Sequence, residues 1–214
     1  MQISESHCGP AVIQMLLSNI GIEVMQEDVA EAGGAASLIE LNGMRVDQLA
    51  LAVSRLAPQA VFYYKDHSTI EALARIVIDY RTPVGVEWQG LFDDEDDEDL
   101  EEEDEEDEED EAEAPEGSVM EDSETEDEDY GHYSLVVQAY RRRRQLLIAD
   151  PYKDYFSQTR IFDFGTFEKR WYDFNEIPDP TTGQPVLVED RNMMFVIVRR
   201  NVLFPRRMGM RTFL

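Results

Sequence analysis

The chain is short of the residues from which many sites are built. It has one cysteine, Cys8, and three histidines, His7, His67 and His132, among 214 residues. One thiol cannot make an internal disulfide framework or a cysteine-based zinc site. Three imidazoles leave little material for a metal centre, so neither metal nor cofactor is expected. No window approaches the ~18 apolar residues of a membrane helix. Met1-Gln2-Ile3-Ser4-Glu5 has no basic stretch followed by an apolar run and does not read as a signal peptide. A soluble, reducing, cytoplasmic setting is the expectation.

Positive charge is scarce too: 19 Lys and Arg stand against 47 Asp and Glu, a formal net charge of −28. The excess is local. Asp93 to Asp129 contains 27 acids in 37 residues and no base, which leaves 47 − 27 = 20 acids against 19 bases elsewhere. A near-neutral globular chain is therefore interrupted by one polyanionic segment. Its charges repel, it has almost nothing apolar to bury, and Pro115-Glu116-Gly117-Ser118 breaks any helix, so composition predicts a disordered surface insertion. The organisation expected is one domain: residues 1–92 as a helical half, 93–129 as the insertion, and 130–214 as a strand-rich half.

Apolar periodicity predicts a buried helix from near Cys8 to Ile20, a short one over Gln26–Glu31 and an amphipathic one over Arg45–Leu56. Ser68 reads as the N-cap of a further helix through Tyr80, with Glu71 at the capping-box position. Strands are predicted at Ala60–Tyr64, Val84–Trp88, Tyr133–Tyr140, Gln145–Ala149, Thr159–Phe164 and Met193–Arg199, with a short helix at Thr166–Tyr172. Arg141-Arg142-Arg143-Arg144 suits a solvated hairpin turn. Helices first and strands mainly later is the α+β pattern.

Four residues carry candidate chemistry. Cys8 precedes a helix in Ser6-His7-Cys8-Gly9-Pro10, where unpaired backbone N–H groups and the positive dipole end favour a thiolate. A small buried cysteine is the competing reading. His132 opens a strand, at the position of a general base, although a polar strand end needs no such role. Asp150 closes the next strand, and hairpin pairing brings it to the same end as His132, where it can orient an imidazole; alone, Asp150-Pro151 would be a turn. Gln2 lies six residues before Cys8, and its amide, with the Cys8 N–H, can donate to a developing oxyanion. As an N-terminal residue it could equally be merely exposed.

Gln2, Cys8-Gly9-Pro10-Ala11, Gly131-His132-Tyr133 and Asp150-Pro151 together resemble papain-like cysteine peptidases of the bacteriocin-processing, double-glycine leader family. Thr82-Pro83-Val84-Gly85-Val86 is similar to that family's strand before the histidine, and Phe164 to Trp171 to its closing element. The resemblance implies a papain-like α+β fold, Cys8 as nucleophile, His132 as base and acid, Asp150 as orienting acid and Gln2 in the oxyanion hole. The substrate implied is a peptide or protein. The acidic segment departs from the family pattern.

The same residues would serve acyl transfer as well as hydrolysis. The alternative is a non-catalytic binding or regulatory module on the same fold that acts through the acidic loop, with a basic protein as partner. Arg141–Arg144 and Arg199, Arg200, Arg206, Arg207 and Arg211 could contact nucleic acid, but a tethered polyanion competes for them, so no nucleic-acid partner is expected and no membrane partner either.

Overall fold

A computed structural model describes residues 1–90, 131–158, 160–179 and 181–213. The expected acidic insertion lies outside the described residues, as does Thr159. The helices are α1 (Cys8–Asn19), α2 (Gln26–Ala32), α3 (Ile39–Asn42), α4 (Val46–Leu56), α5 (Ile70–Asp79), α6 (Phe164–Arg170) and α7 (Phe204–Arg207). The strands are β1 (Ala60–Lys65), β2 (Val84–Gln89), β3 (Gly131–Tyr140), β4 (Gln145–Ala149), β5 (Arg160–Asp163), β6 (Tyr172–Pro178), β7 (Pro185–Arg191) and β8 (Met194–Arg199). Among the described residues, no helix is long and apolar enough to cross a membrane.

Six strands form one antiparallel sheet in the order β1-β8-β2-β3-β4-β5. The last strand is therefore central, and its sequence shows why. Met194-Phe195-Val196-Ile197-Val198 is apolar at every position, as a strand covered on both faces must be. Phe195 and Ile197 join a core with α1, α2 and α4, whereas Met194, Val196 and Val198 join a second core with α5 and α6. Helices thus cover both faces, and the two cores meet only through the sheet.

Close packing at the centre fixes one glycine. A Cβ on Gly85 would stand 2.3 Å from the Phe195 ring, far inside contact distance. Phe195 is fully buried and stacks on Phe62 at 5.0 Å, so it has no room to yield. Gly85→Ala should cost ~1–3 kcal/mol by overpacking. An unchanged urea midpoint would contradict this account of the sheet centre.

Two expectations need correction. Thr69, not Ser68, caps α5: its hydroxyl accepts from the Ala72 N–H at 3.2 Å. Ser68 is otherwise engaged, donating its hydroxyl to the Lys65 carbonyl at 3.2 Å and its N–H to Asn192. The helix expected at Thr166–Tyr172 begins earlier, at Phe164, because the Asp163 carboxylate accepts from the Gly165 N–H at 2.6 Å. The β6–β7 hairpin, a separate two-stranded sheet, was not anticipated. Most of β7 is exposed, so it has no inward face to print a period of two on the sequence.

The chain between β2 and β3 leaves and re-enters at adjacent points, since Gln89 pairs with Gly131. The β3–β4 hairpin turns at Arg141–Arg144 and carries one irregularity. Gln138 pairs with Leu147 but Val136 pairs with Ile148, which leaves Val137 as an extra residue. This bulge shifts the rest of the ladder by one.

Candidate active site

Cys8 is the first residue of α1, and no side chain caps that end of the helix. The first N–H groups of a helix have no carbonyl a turn earlier to accept from them, so the cleft beside Cys8 faces open donors. Pro10 sits in this first turn, where its missing N–H costs nothing. Gly9 lets the turn settle closely, its Cβ position lying 3.2–3.3 Å from Leu49 and Tyr133. Cys8 itself is 8% exposed and lines a cavity of about 550 Å³.

His132 opens β3 and is buried. Its Nε2 lies 2.8 Å from Asp150 Oδ1, and the Cys8 thiol is near enough to add to the ring's affinity for a proton. With Nε2 on the carboxylate, Nδ1 is the nitrogen left for sulfur. Burial alone would lower the imidazole's affinity for protons. The charge and hydrogen bond of Asp150 outweigh it, and with a contribution from Cys8 they raise His132 from 6.5 to about 9. For Asp150, burial would raise the carboxyl; His132, the Tyr152 N–H at 2.9 Å and Arg160 hold it down at about 2. At neutral pH the two groups are a buried ion pair.

The bulge makes this pair possible. Leu135 pairs with Ala149, so the ladder carried one step further sets Asp150 opposite Ser134. Residues directly opposite share a face, and His132 lies two residues from Ser134 on that same face. The Ser134 hydroxyl donates to Asp150 Oδ2 at 3.3 Å, in agreement with that register. Were Val137 paired in the register of the turn instead of bulged out, Asp150 would fall opposite Leu135, which points into the other core.

Asp150 is also held from beyond the hairpin. Arg160 of β5 donates through a terminal guanidinium nitrogen to Oδ2 at 2.8 Å, and its own plane lies 3.9 Å from the centre of the Tyr155 ring. Trp88 donates its indole N–H to Ser134 at 3.0 Å. Sequence reasoning missed Arg160, Ser134 and Trp88. Arg160 had a signal: it shares strand parity with buried Phe162, and a charged residue at an inward strand position calls for a buried partner.

Gln2 is 5% exposed, not at the surface. Its backbone N–H donates to the Pro151 carbonyl at 2.8 Å, which ties the chain start to the residue after Asp150. Its amide donates one N–H to the Glu5 carbonyl at 3.1 Å, in the turn that leads into Cys8. The structure therefore brings Cys8, His132 and Asp150 together and ties Gln2 to the residue after Asp150 and to the turn before Cys8.

No protein-family model matches the chain, and no curated protein matches it. Among solved structures, it is similar to the peptidase domain of Streptococcus ComA, a bi-functional ABC transporter involved in a quorum-sensing pathway. The TM-score is 0.53 over 93% of this chain and 96% of that domain, at 14% sequence identity. The chain has a papain-like fold. In the papain-like fold a helix carrying one half of the cleft meets a sheet carrying the other, and here α1 and β3 meet in that way.

Among the described residues, no group of three or more His, Cys, Asp or Glu could hold a metal ion. His7, next to Cys8, hydrogen-bonds the Ser4 hydroxyl at 2.6 Å, and Ser4 donates to Glu40 at 3.0 Å. That cluster braces the turn before α1. His67 lies in the loop before α5, where its backbone N–H donates to the Arg191 carbonyl at 2.8 Å.

Proposed function

We propose that the chain is a papain-like cysteine peptidase, or a related amide-bond hydrolase, with Cys8 as nucleophile. The observation that supports this reading best is the buried His132 ring, bonded to Asp150 and close enough to the Cys8 thiol for the sulfur to raise its affinity for a proton. The Cys8 sulfur, its proton passed to His132, attacks the substrate carbonyl carbon and the carbonyl oxygen gains the negative charge. The Cys8 N–H and the second N–H of the Gln2 amide, the one not given to Glu5, are the donors offered to that oxygen. His132 then protonates the leaving amine, the C–N bond breaks, and a thioester remains. Water, giving a proton to His132, attacks the thioester; the acid product leaves and the thiol is restored.

Asp150 keeps the imidazole oriented and stabilises its charged form, which is why the raised affinity of His132 for protons fits the role. The substrate is a peptide or protein. Acyl transfer would follow the same path with another nucleophile in place of water. A reducing compartment such as the cytoplasm would keep the thiol in its working state.

The test is the rate of Cys8 alkylation against pH, in the native protein and in His132→Ala. With one cysteine in the chain, every adduct reports on Cys8. The native protein should react fast near neutral pH, and the variant should slow at least tenfold there while converging on the native rate at high pH. Equal, slow profiles in both would sink the hydrolase reading and leave a binding module on a papain-like fold.

A further inference from the structure

The groups that the mechanism uses leave one buried polar pair beside them without a role. Glu87 of β2 stands directly opposite Tyr133 of β3, the residue after His132. Both side chains are buried, Glu87 to within 1%. The Tyr133 hydroxyl donates to Glu87 Oε1. That oxygen also accepts from the Asn175 amide at 3.3 Å, and the same amide donates to Asp190 at 3.0 Å. Asp173 gives Glu87 a further hydrogen bond and is itself held by the Gln89 amide at 3.0 Å. The carboxyl is thus fixed from β3 and β6, and it makes a firm anchor for one phenol.

What the anchor holds is the ring. Tyr133 lies on the α1 side of the sheet, in the core that contains Cys8 and Leu49. Gly9, the second residue of α1, is seated between Leu49 of α4 and the Tyr133 ring. A Cβ there would stand 3.2 Å from one and 3.3 Å from the other. The ring therefore sets how closely the first turn of α1 approaches the start of β3. Cys8 stands on that turn, and His132 stands on that strand start. Burial raises the Tyr133 hydroxyl well above the ordinary phenol range; Glu87 and Asp173 add to this, and Cys8 is close enough to add as well. The hydroxyl stays a donor across the neutral range.

Packing alone does not fix the ring. One side meets Gly9 and Phe195, the two ring centres lying 6.0 Å apart. Another side lines the cavity of about 550 Å³ beside Cys8. A ring released from Glu87 has room to swing into that space and away from α1.

We propose that Tyr133, anchored on Glu87, is a positioning residue for Cys8 and His132: it holds the first turn of α1 at the separation from which the thiol can pass its proton to the imidazole. The inference rests on the hydrolase reading, which supplies the pair. Its effect is exerted through the backbone of α1, and proton transfer between two side chains needs them within hydrogen-bond reach.

The test is the rate of Cys8 alkylation against pH in variants of the full chain. Tyr133→Phe keeps the ring and removes the anchor. Its rate near neutral pH should fall about tenfold, a partial loss of geometry, while the limiting rate at high pH stays within twofold of native. Glu87→Met removes the acceptor at similar volume and should give the same shift. Glu87→Gln keeps an acceptor oxygen for the hydroxyl and should stay within threefold of native. The double variant Tyr133→Phe, Glu87→Met strands neither partner of the bond, so it serves if a single variant folds poorly. Its loss should match that of either single variant and not their product. Thr69→Ala, which removes the cap of α5, is the control for lost stability: its urea midpoint should fall and its profile should not move. A native profile in Tyr133→Phe or in the double variant, with His132→Ala slowed, would overturn the positioning role alone, and so would losses that multiply. Equal profiles in the native protein and His132→Ala would overturn it together with the hydrolase reading, because no pair would then exist to be positioned.

Discussion

Asp150→Ala should unfold the protein more readily by ~3–5 kcal/mol, the cost typical of removing one partner from a buried ion pair. The reason is the company it keeps. Asp150 accepts from His132 at 2.8 Å, the Tyr152 N–H at 2.9 Å, Arg160 at 2.8 Å and Ser134 at 3.3 Å, and its removal strands a buried guanidinium. Arg160 is 5% exposed and cannot reach water without moving β5. Double replacement with Arg160→Met should recover much of the loss, because an apolar side chain leaves no charge behind. Urea midpoints for the two single variants and the double variant measure this. Additive losses in the double variant would show that the two residues do not depend on each other.

The second large effect is on stability against pH. His132 is raised from 6.5 to about 9, so its contribution is complete below pH 6.5 and is lost as pH climbs through about 9. Asp150 is lowered from 3.8 to about 2, so its contribution is complete above pH 3.8 and is lost as pH falls through about 2. Glu87 works in the same direction as His132 on the alkaline side. Its carboxyl is raised from 4.5 to about 7, so stability drains between those values as the buried group is forced to ionise. The expected curve has its maximum near pH 4 and declines in two overlapping steps towards pH 9. Glu87→Gln should remove the first step and His132→Gln the second. A flat profile from pH 5 to 9 in the native protein would contradict both assignments.

The sequence made some of this legible and hid the rest, for physical reasons. Helices α4 and α5 announce themselves because each buries one stripe, and period survives in the sequence when burial is one-sided; α1, buried at every position from Cys8 to Ile13, is legible instead as an apolar run opened by Gly9-Pro10. The central strand β8 is legible as an apolar run. Its place between β1 and β2 is not, since pairing partners far apart in the chain leave no local mark. The grouping of Cys8, His132 and Asp150 could be guessed from a helix start and two strand ends. A regular hairpin of the same length would nevertheless have set Asp150 on the wrong face, and nothing in Leu135-Val136-Val137-Gln138 marks the bulge that corrects it. Arg160, Glu87 and Asp173 reach the site from three further strands. Their importance comes from burial, and burial is a property of the packed molecule.

The bulge also has a consequence for comparing sequences. His132 and Asp150 are 18 residues apart, and that interval includes Val137, which has no partner across the ladder. A relative that dropped this one position would close the ladder into regular pairing and keep both side chains where they are, with an interval of 17. Relatives with the same arrangement should therefore show either spacing, and an alignment that scores the missing residue as a broken motif would discard true kin. The interval to hold fixed runs inward from the turn on the β4 side, because there every residue has a partner to keep it in step.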